Sequence, residues 1–141
     1  MKKEVCVITG GGSGMGLAAA KYMPQEKIIL VTGRTLAKLE RAVTELQEAG
    51  YEAYAKTCDT SVRSQVQELA AYAAELGEIK NVIHAAGLSP AMADPEKLLR
   101  VNALGTVYIN QEFSKYMKAG SVIVDISSNS AYMIPGFLAN K

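Results

Sequence analysis

Five short apolar runs, mostly β-branched, recur along the 141-residue chain, and segments with helical spacing separate them. The runs are Val5 to Thr9, Lys27 to Thr32, Tyr51 to Thr57, Lys80 to Ala85 and Ser121 to Ile126. They are mostly continuous rather than alternating, which is what strands buried on both faces require. Strands of that kind, alternating with helices, predict an α/β fold with a doubly wound parallel sheet. Right-handed crossovers then give the order 3-2-1-4-5, with the ligand at the carboxyl ends, where the order reverses between strands 1 and 4. Tyr51 to Thr57 is the more amphipathic run and belongs nearer an edge.

The helices carry their own signals. The first should run to about Met23, where Pro24 stops it. Thr35 is placed to cap a helix with Leu36, Leu39, Val43 and Leu46 on one face, and Gly50 suits its end. Ser61 is expected to cap the next, with Val66, Leu69, Ala70, Ala73 and Leu76 inward and Gly77 closing it. Asp94-Pro95 is a cap followed by a first-position proline. Leu98 to Lys118 reads as helical, with a break near Asn102 or Gly105.

The first strand enters a glycine-dense turn, Thr9-Gly10-Gly11-Gly12-Ser13-Gly14-Met15-Gly16. Such a turn lets backbone N–H groups approach a ligand, and a helix starting there favours a phosphate or pyrophosphate. No lysine follows the last glycine, so the pattern is not that of a nucleoside-triphosphate P-loop.

Charge and cysteines narrow the function. The net charge is +1, from 15 basic and 14 acidic residues well mixed, which argues against nucleic acid and membrane-surface partners. No apolar run approaches the ~20 residues of a membrane span. Met1-Lys2-Lys3-Glu4 leads straight into a strand, without the pattern of a secretory leader. Cys6 and Cys58 lack metal-ligand spacing and read as buried free thiols in a reducing, cytoplasmic setting.

The strand ends share one chemical theme. After strand 2, Gly33 stands where an acidic residue would bind a ribose 2′-hydroxyl, and Arg34 follows. A small residue and an arginine suit a 2′-phosphate, so NADP is expected rather than NAD. Asp59, after strand 3, could accept from an adenine amino group. Ala85, Ala86 and Gly87 are small enough for a cofactor to lie against their backbone. His84, the only histidine, is expected to be a hydrogen-bonded core residue rather than a base.

Together, Thr9 to Gly16, Gly33-Arg34, Cys58-Asp59, Ala85-Ala86-Gly87, Val101-Asn102 and Ile126-Ser127-Ser128 closely resemble the short-chain dehydrogenase/reductase family, in its order and spacing. The resemblance covers essentially the whole chain. It implies a Rossmann-like fold and a nicotinamide-dependent oxidoreductase acting on a small-molecule secondary alcohol or its ketone, and a homo-oligomer is expected. The family's glycine motif maps onto Gly10, Gly14 and Gly16, within a cofactor-binding set of Thr9, Gly10, Gly12, Ser13, Gly14, Met15, Gly16, Arg34, Asp59, Ala85, Ala86 and Gly87. Its active-site residues map onto Asn102 and Ser128.

Three departures stand out. Ser13 occupies a position that is basic in many NADP-dependent members, so Arg34 alone supports NADP. His84-Ala85 replaces a more common Asn-Asn. The family's Tyr-x-x-x-Lys pair is missing, since none of the seven tyrosines has a lysine four residues on. Residues 1–141 are therefore expected to be the dinucleotide-binding N-terminal part of a longer enzyme, inert or nearly so alone, with a sheet left incomplete at its C-terminal side. A non-catalytic NADP(H)-binding module is the competing reading.

Overall fold

The computed structural model describes residues 2–88 and 93–127. Five strands form one sheet in the order β3-β2-β1-β4-β5, every described pair parallel. In chain order the elements are β1 (Glu4–Thr9), α1 (Gly14–Ala20), β2 (Ile28–Gly33), α2 (Leu36–Glu48), β3 (Glu52–Thr57), α3 (Arg63–Leu76), β4 (Glu78–His84), α4 (Pro95–Leu99), α5 (Gly105–Ser114) and β5 (Val122–Asp125). A π-helical turn, Arg100–Leu104, joins α4 to α5.

Burial follows the character of the strands. Val5, Cys6, Val7 and Ile8 of β1 and Ile29, Leu30 and Val31 of β2 are wholly buried. Alternate residues serve opposite layers. Val5, Val7 and Leu30 meet Val66, Leu69, Ile109 and Phe113 of α3 and α5. Cys6, Ile8, Ile29 and Val31 meet Leu39, Ala42 and Leu46 of α2 and Ala20 of α1. The amphipathic β3 lies at the edge, as its pattern predicts.

A charged clamp ties α3 to α5. The nearly buried Glu112 carboxylate accepts from Arg63 Nη1 and Lys115 Nζ, each at 2.8 Å. The bond from Lys115 holds the carboxyl below its usual range. Arg63 also lies over the Tyr108 ring, 4.8 Å from its centroid.

Three local expectations change. α1 ends at Ala20 rather than near Met23, and Tyr22 and Met23 donate instead to Ala19 and Ala20, at 3.1 and 3.2 Å. Pro24 disfavours helical backbone in the residue before it, so the last turn tightens. The helix after β3 starts at Arg63 with Val62 at its cap position, because Ser61 is drawn back to Asp59. The long helix from Leu98 is three pieces, with Asn102 inside the π-helical turn and Gly105 just after it. Asp94 does cap α4, Oδ1 accepting from Lys97 N at 2.9 Å.

Among the described residues, β5 packs through one side. Ile123 joins the layer with α3 and α5, whereas Val122, Val124 and Ile126 are 50%, 48% and 38% exposed. The loop around Pro90, and Ser128 with the residues after it, lie outside the described residues.

Candidate functional site

A cleft of about 480 Å³ opens at the carboxyl ends of β1 to β4, where the strand order reverses. Its lining comes from the glycine turn (Thr9, Gly10, Ser13, Gly14, Met15, Gly16), from Gly33 and Arg34, from Cys58 and Asp59, and from Ala85, Ala86 and Gly87. Segments far apart in sequence meet there because parallel strands put every βα turn at the same sheet end.

Two glycines are required for different reasons. Gly14 has φ +59°, and a Cβ there would meet none of the described residues within 4 Å. Gly16 sits in the first turn of α1 with its Cα against the Gly10 carbonyl, where a Cβ would collide with backbone. That contact presses α1 onto the end of β1. Ser13, at the cap position of α1, makes no capping side-chain bond.

Gly12 goes elsewhere. Its Cα turns toward α2, where a Cβ would come within 3.3 Å of Lys38 Cβ. It lines a separate groove of about 670 Å³ between α1 and α2, shared with Ser13, Lys38 and Arg41.

Polar groups fix the walls. Asp59 Oδ1 accepts from Ser61 N at 3.0 Å and Ser61 Oγ at 2.6 Å, which shapes the turn after β3. Arg34 is exposed at the rim, beside an uncharged Gly33. Thr9 Oγ1 accepts from both Ala85 N and Ala86 N at 3.1 Å, holding the fourth βα turn against the first. The buried Thr32 Oγ1, also on the cleft lining, has no hydrogen-bond partner among the described residues.

His84 is 3% exposed and hydrogen-bonded at both ring nitrogens, as a core histidine should be. Nδ1 lies 2.7 Å from Thr9 Oγ1 and Nε2 lies 3.1 Å from Thr106 Oγ1. Burial pushes its pKa below the usual value, against the opposing pull of Asp125. Burial also pushes the free thiols of Cys6 and Cys58 up to about 12, so neither is a nucleophile at neutral pH.

Asn102 is not on the cleft lining. Its side chain holds Leu88, Oδ1 accepting from Leu88 N at 2.8 Å and Nδ2 donating to Leu88 O at 2.9 Å. Leu88 does line the cleft, so Asn102 braces its wall from behind. Thr106 is a participant that the sequence reading missed. The available signal was its spacing, four residues after Asn102 on one helical face.

Among the described residues no group of three His, Cys, Asp or Glu could hold a metal, and no helix is long and apolar enough to cross a membrane.

Known proteins resemble this chain in sequence and fold. The family model for short chain dehydrogenase matches residues 4–139. A short-chain dehydrogenase/reductase, bsc3 of Alternaria brassicicola, is 31% identical over 134 residues, covering 95% of this chain and 48% of that protein. The crystal structure of an actinorhodin polyketide ketoreductase variant with NADPH superposes with a TM-score of 0.79 at 27% identity, over 92% of this chain and 55% of that one. An NAD+-bound xylitol dehydrogenase superposes at 0.84 over 94% of this chain and 55% of that one, where 24% identity shows the fold alone. The chain thus spans about half the length of the relatives it matches. With the family's pattern matched from the first strand onward and the cleft assembled where the strand order reverses, this chain belongs to the short-chain dehydrogenase/reductase family.

Proposed function

We propose that residues 1–141 are the dinucleotide-binding portion of an NADP-dependent oxidoreductase that interconverts a small-molecule ketone and its secondary alcohol. The observation that carries this reading is the cleft itself: a glycine turn, an arginine after an uncharged Gly33, and small residues after β4 meet at one sheet end. The residues fit the cofactor. Gly14 leaves backbone open to the cleft, Thr32 Oγ1 is a polar group without a partner among the described residues, and Ala85 to Gly87 present little side chain.

A bound nicotinamide dinucleotide supplies or accepts the hydride. This chain's residues do the rest of the holding. Thr9 to Gly16 would receive the pyrophosphate, as a glycine turn leading into a helix can. Arg34 would pair with the 2′-phosphate, where its planar fork gives two parallel bonds. Asp59 would accept from the adenine amino group through the oxygen that Ser61 does not use. Ser128 is assigned to hold the substrate oxygen, and Asn102 to brace the cleft wall through Leu88.

Proton transfer needs a tyrosine and a lysine that these residues do not supply, and both are assigned to the remaining length of the protein. General acid–base catalysis is worth ~10²–10⁴-fold, so this portion alone is expected to bind cofactor and turn over little. Two free, buried thiols support a cytoplasmic setting. The exposed Leu99, Leu104 and Val107 support a helical face shared between copies in a homo-oligomer.

Arg34→Ala tests the cofactor choice. A charged hydrogen bond contributes about 1.5–3 kcal/mol, so NADPH affinity should fall at least roughly tenfold while NADH affinity stays unchanged. Fluorescence titration of both nucleotides reads this. An equal loss for both, or none, would sink the NADP assignment.

A further inference from the structure

A single line of hydrogen bonds joins the cleft wall to the turn that carries Asn102, and its directions are determined. Thr9 Oγ1 accepts from Ala85 N and Ala86 N, which uses both of its lone pairs. Its proton must therefore go to His84 Nδ1, 2.7 Å away. Nδ1 is an acceptor, so the neutral ring carries its proton on Nε2 and donates to Thr106 Oγ1 at 3.1 Å. The Thr106 hydroxyl in turn donates to the Asn102 carbonyl at 2.8 Å. Asn102 then holds Leu88 through both ends of its amide.

We propose that His84 is a positioning residue for the nucleotide cleft: as the neutral Nε2–H tautomer it locks the Thr9–Ala85–Ala86 wall to the Asn102–Leu88 turn, and taking up one proton releases that lock. The inference deepens the reading of this cleft as a nucleotide site and rests on it for its functional consequence. A proton on Nδ1 would confront a hydroxyl that already accepts twice. An Ala85 or Ala86 N–H, or the ring itself, must then give up its partner.

The surroundings set the sign. β1 offers the ring only the uncharged Thr9, and α5 the uncharged Thr106. β5 contributes Asp125, paired with His84 in register, whose carboxylate Asn110 Nδ2 holds at 3.1 and 3.0 Å. Asp125 favours the charged ring, but burial outweighs it, and titration falls below the ordinary 6.5. The lock is complete at neutral pH and is lost as pH falls through that lowered value.

His84 is the only histidine, so ¹⁵N-histidine ring spectra need no assignment. They are recorded with backbone amide spectra from pH 8 to pH 5, without and with saturating NADPH. We expect the Nε2–H tautomer, and Ala85, Ala86 and Leu88 amides that titrate with the ring's midpoint. Thr106→Val should disconnect Leu88 while Ala85 and Ala86 still follow. His84→Asn, which keeps an acceptor for Thr9 but cannot titrate, should abolish all three transitions. NADPH should lower the midpoint by about half a pH unit or more, since binding and protonation oppose each other. A bound polyanion acting through charge alone would raise it. An Nδ1–H tautomer, amides indifferent to the ring, or a midpoint that NADPH raises or leaves unmoved would overturn the proposal. NADPH that perturbs no cleft amide would instead overturn the nucleotide reading, and the Thr106→Val comparison would still decide the lock.

Discussion

Gly16→Val should be among the most damaging single changes near the cleft, with loss of NADPH binding and a large drop in the urea midpoint. A Cβ at this position would fall on the Gly10 carbonyl, with Gly11 Cα only 3.2 Å away. Both neighbours are backbone and cannot rotate aside. Either α1 lifts from β1 or the glycine turn refolds, and each route opens the layer of Ile8, Val31 and Ala20. Overpacking costs about 1–3 kcal/mol, occasionally more, against a total stability of roughly 5–15 kcal/mol. Gly14→Ala is the contrast. It meets none of the described residues within 4 Å but must keep φ +59°, so it carries only the left-handed penalty of about 1–2 kcal/mol. A wild-type urea midpoint for Gly16→Val would refute the close-approach account.

Thr9→Val is expected to destabilise by several kcal/mol with little change in shape. Thr9 is fully buried, and its hydroxyl serves Ala85 N, Ala86 N and His84 Nδ1. Ala85 N can fall back on the Thr9 carbonyl at 3.3 Å, but Ala86 N and the ring nitrogen lose their partner. Each orphaned buried group costs about 1–3 kcal/mol. Thr32→Val on the neighbouring strand is the control. Its hydroxyl has no partner to lose among the described residues, so the change should be neutral or mildly stabilising. Equal effects from the two substitutions, measured by urea unfolding, would show that the Thr9 bonds contribute nothing beyond shape.

The sheet order was legible because its causes are local. Short, mostly continuous β-branched runs between helical segments read as strands buried on both faces, and right-handed crossovers leave few orders. The cleft lining was legible for the same reason, since each strand end must reach the same sheet end. What escaped the sequence depends on packing between elements. Gly12 faces α2 rather than the cleft because Lys38 lies beside it, a contact between residues 26 positions apart. The pattern located a break near Asn102 or Gly105 but could not reveal that it is a π-helical turn, Arg100–Leu104. Ser61 looked like a cap because Asp59's competing claim on it exists only in the folded turn. Thr106 reads as an ordinary helical threonine until His84 is seen against it.

The most direct test of the central claim is to map NADPH onto the chain by amide chemical-shift changes. Saturable changes are expected at Gly10, Gly14 to Gly16, Arg34, Asp59 and Ala85 to Gly87, with weaker binding of NADH. Changes confined to Lys38, Arg41 and Glu45 in the groove between α1 and α2, or none at all, would contradict it.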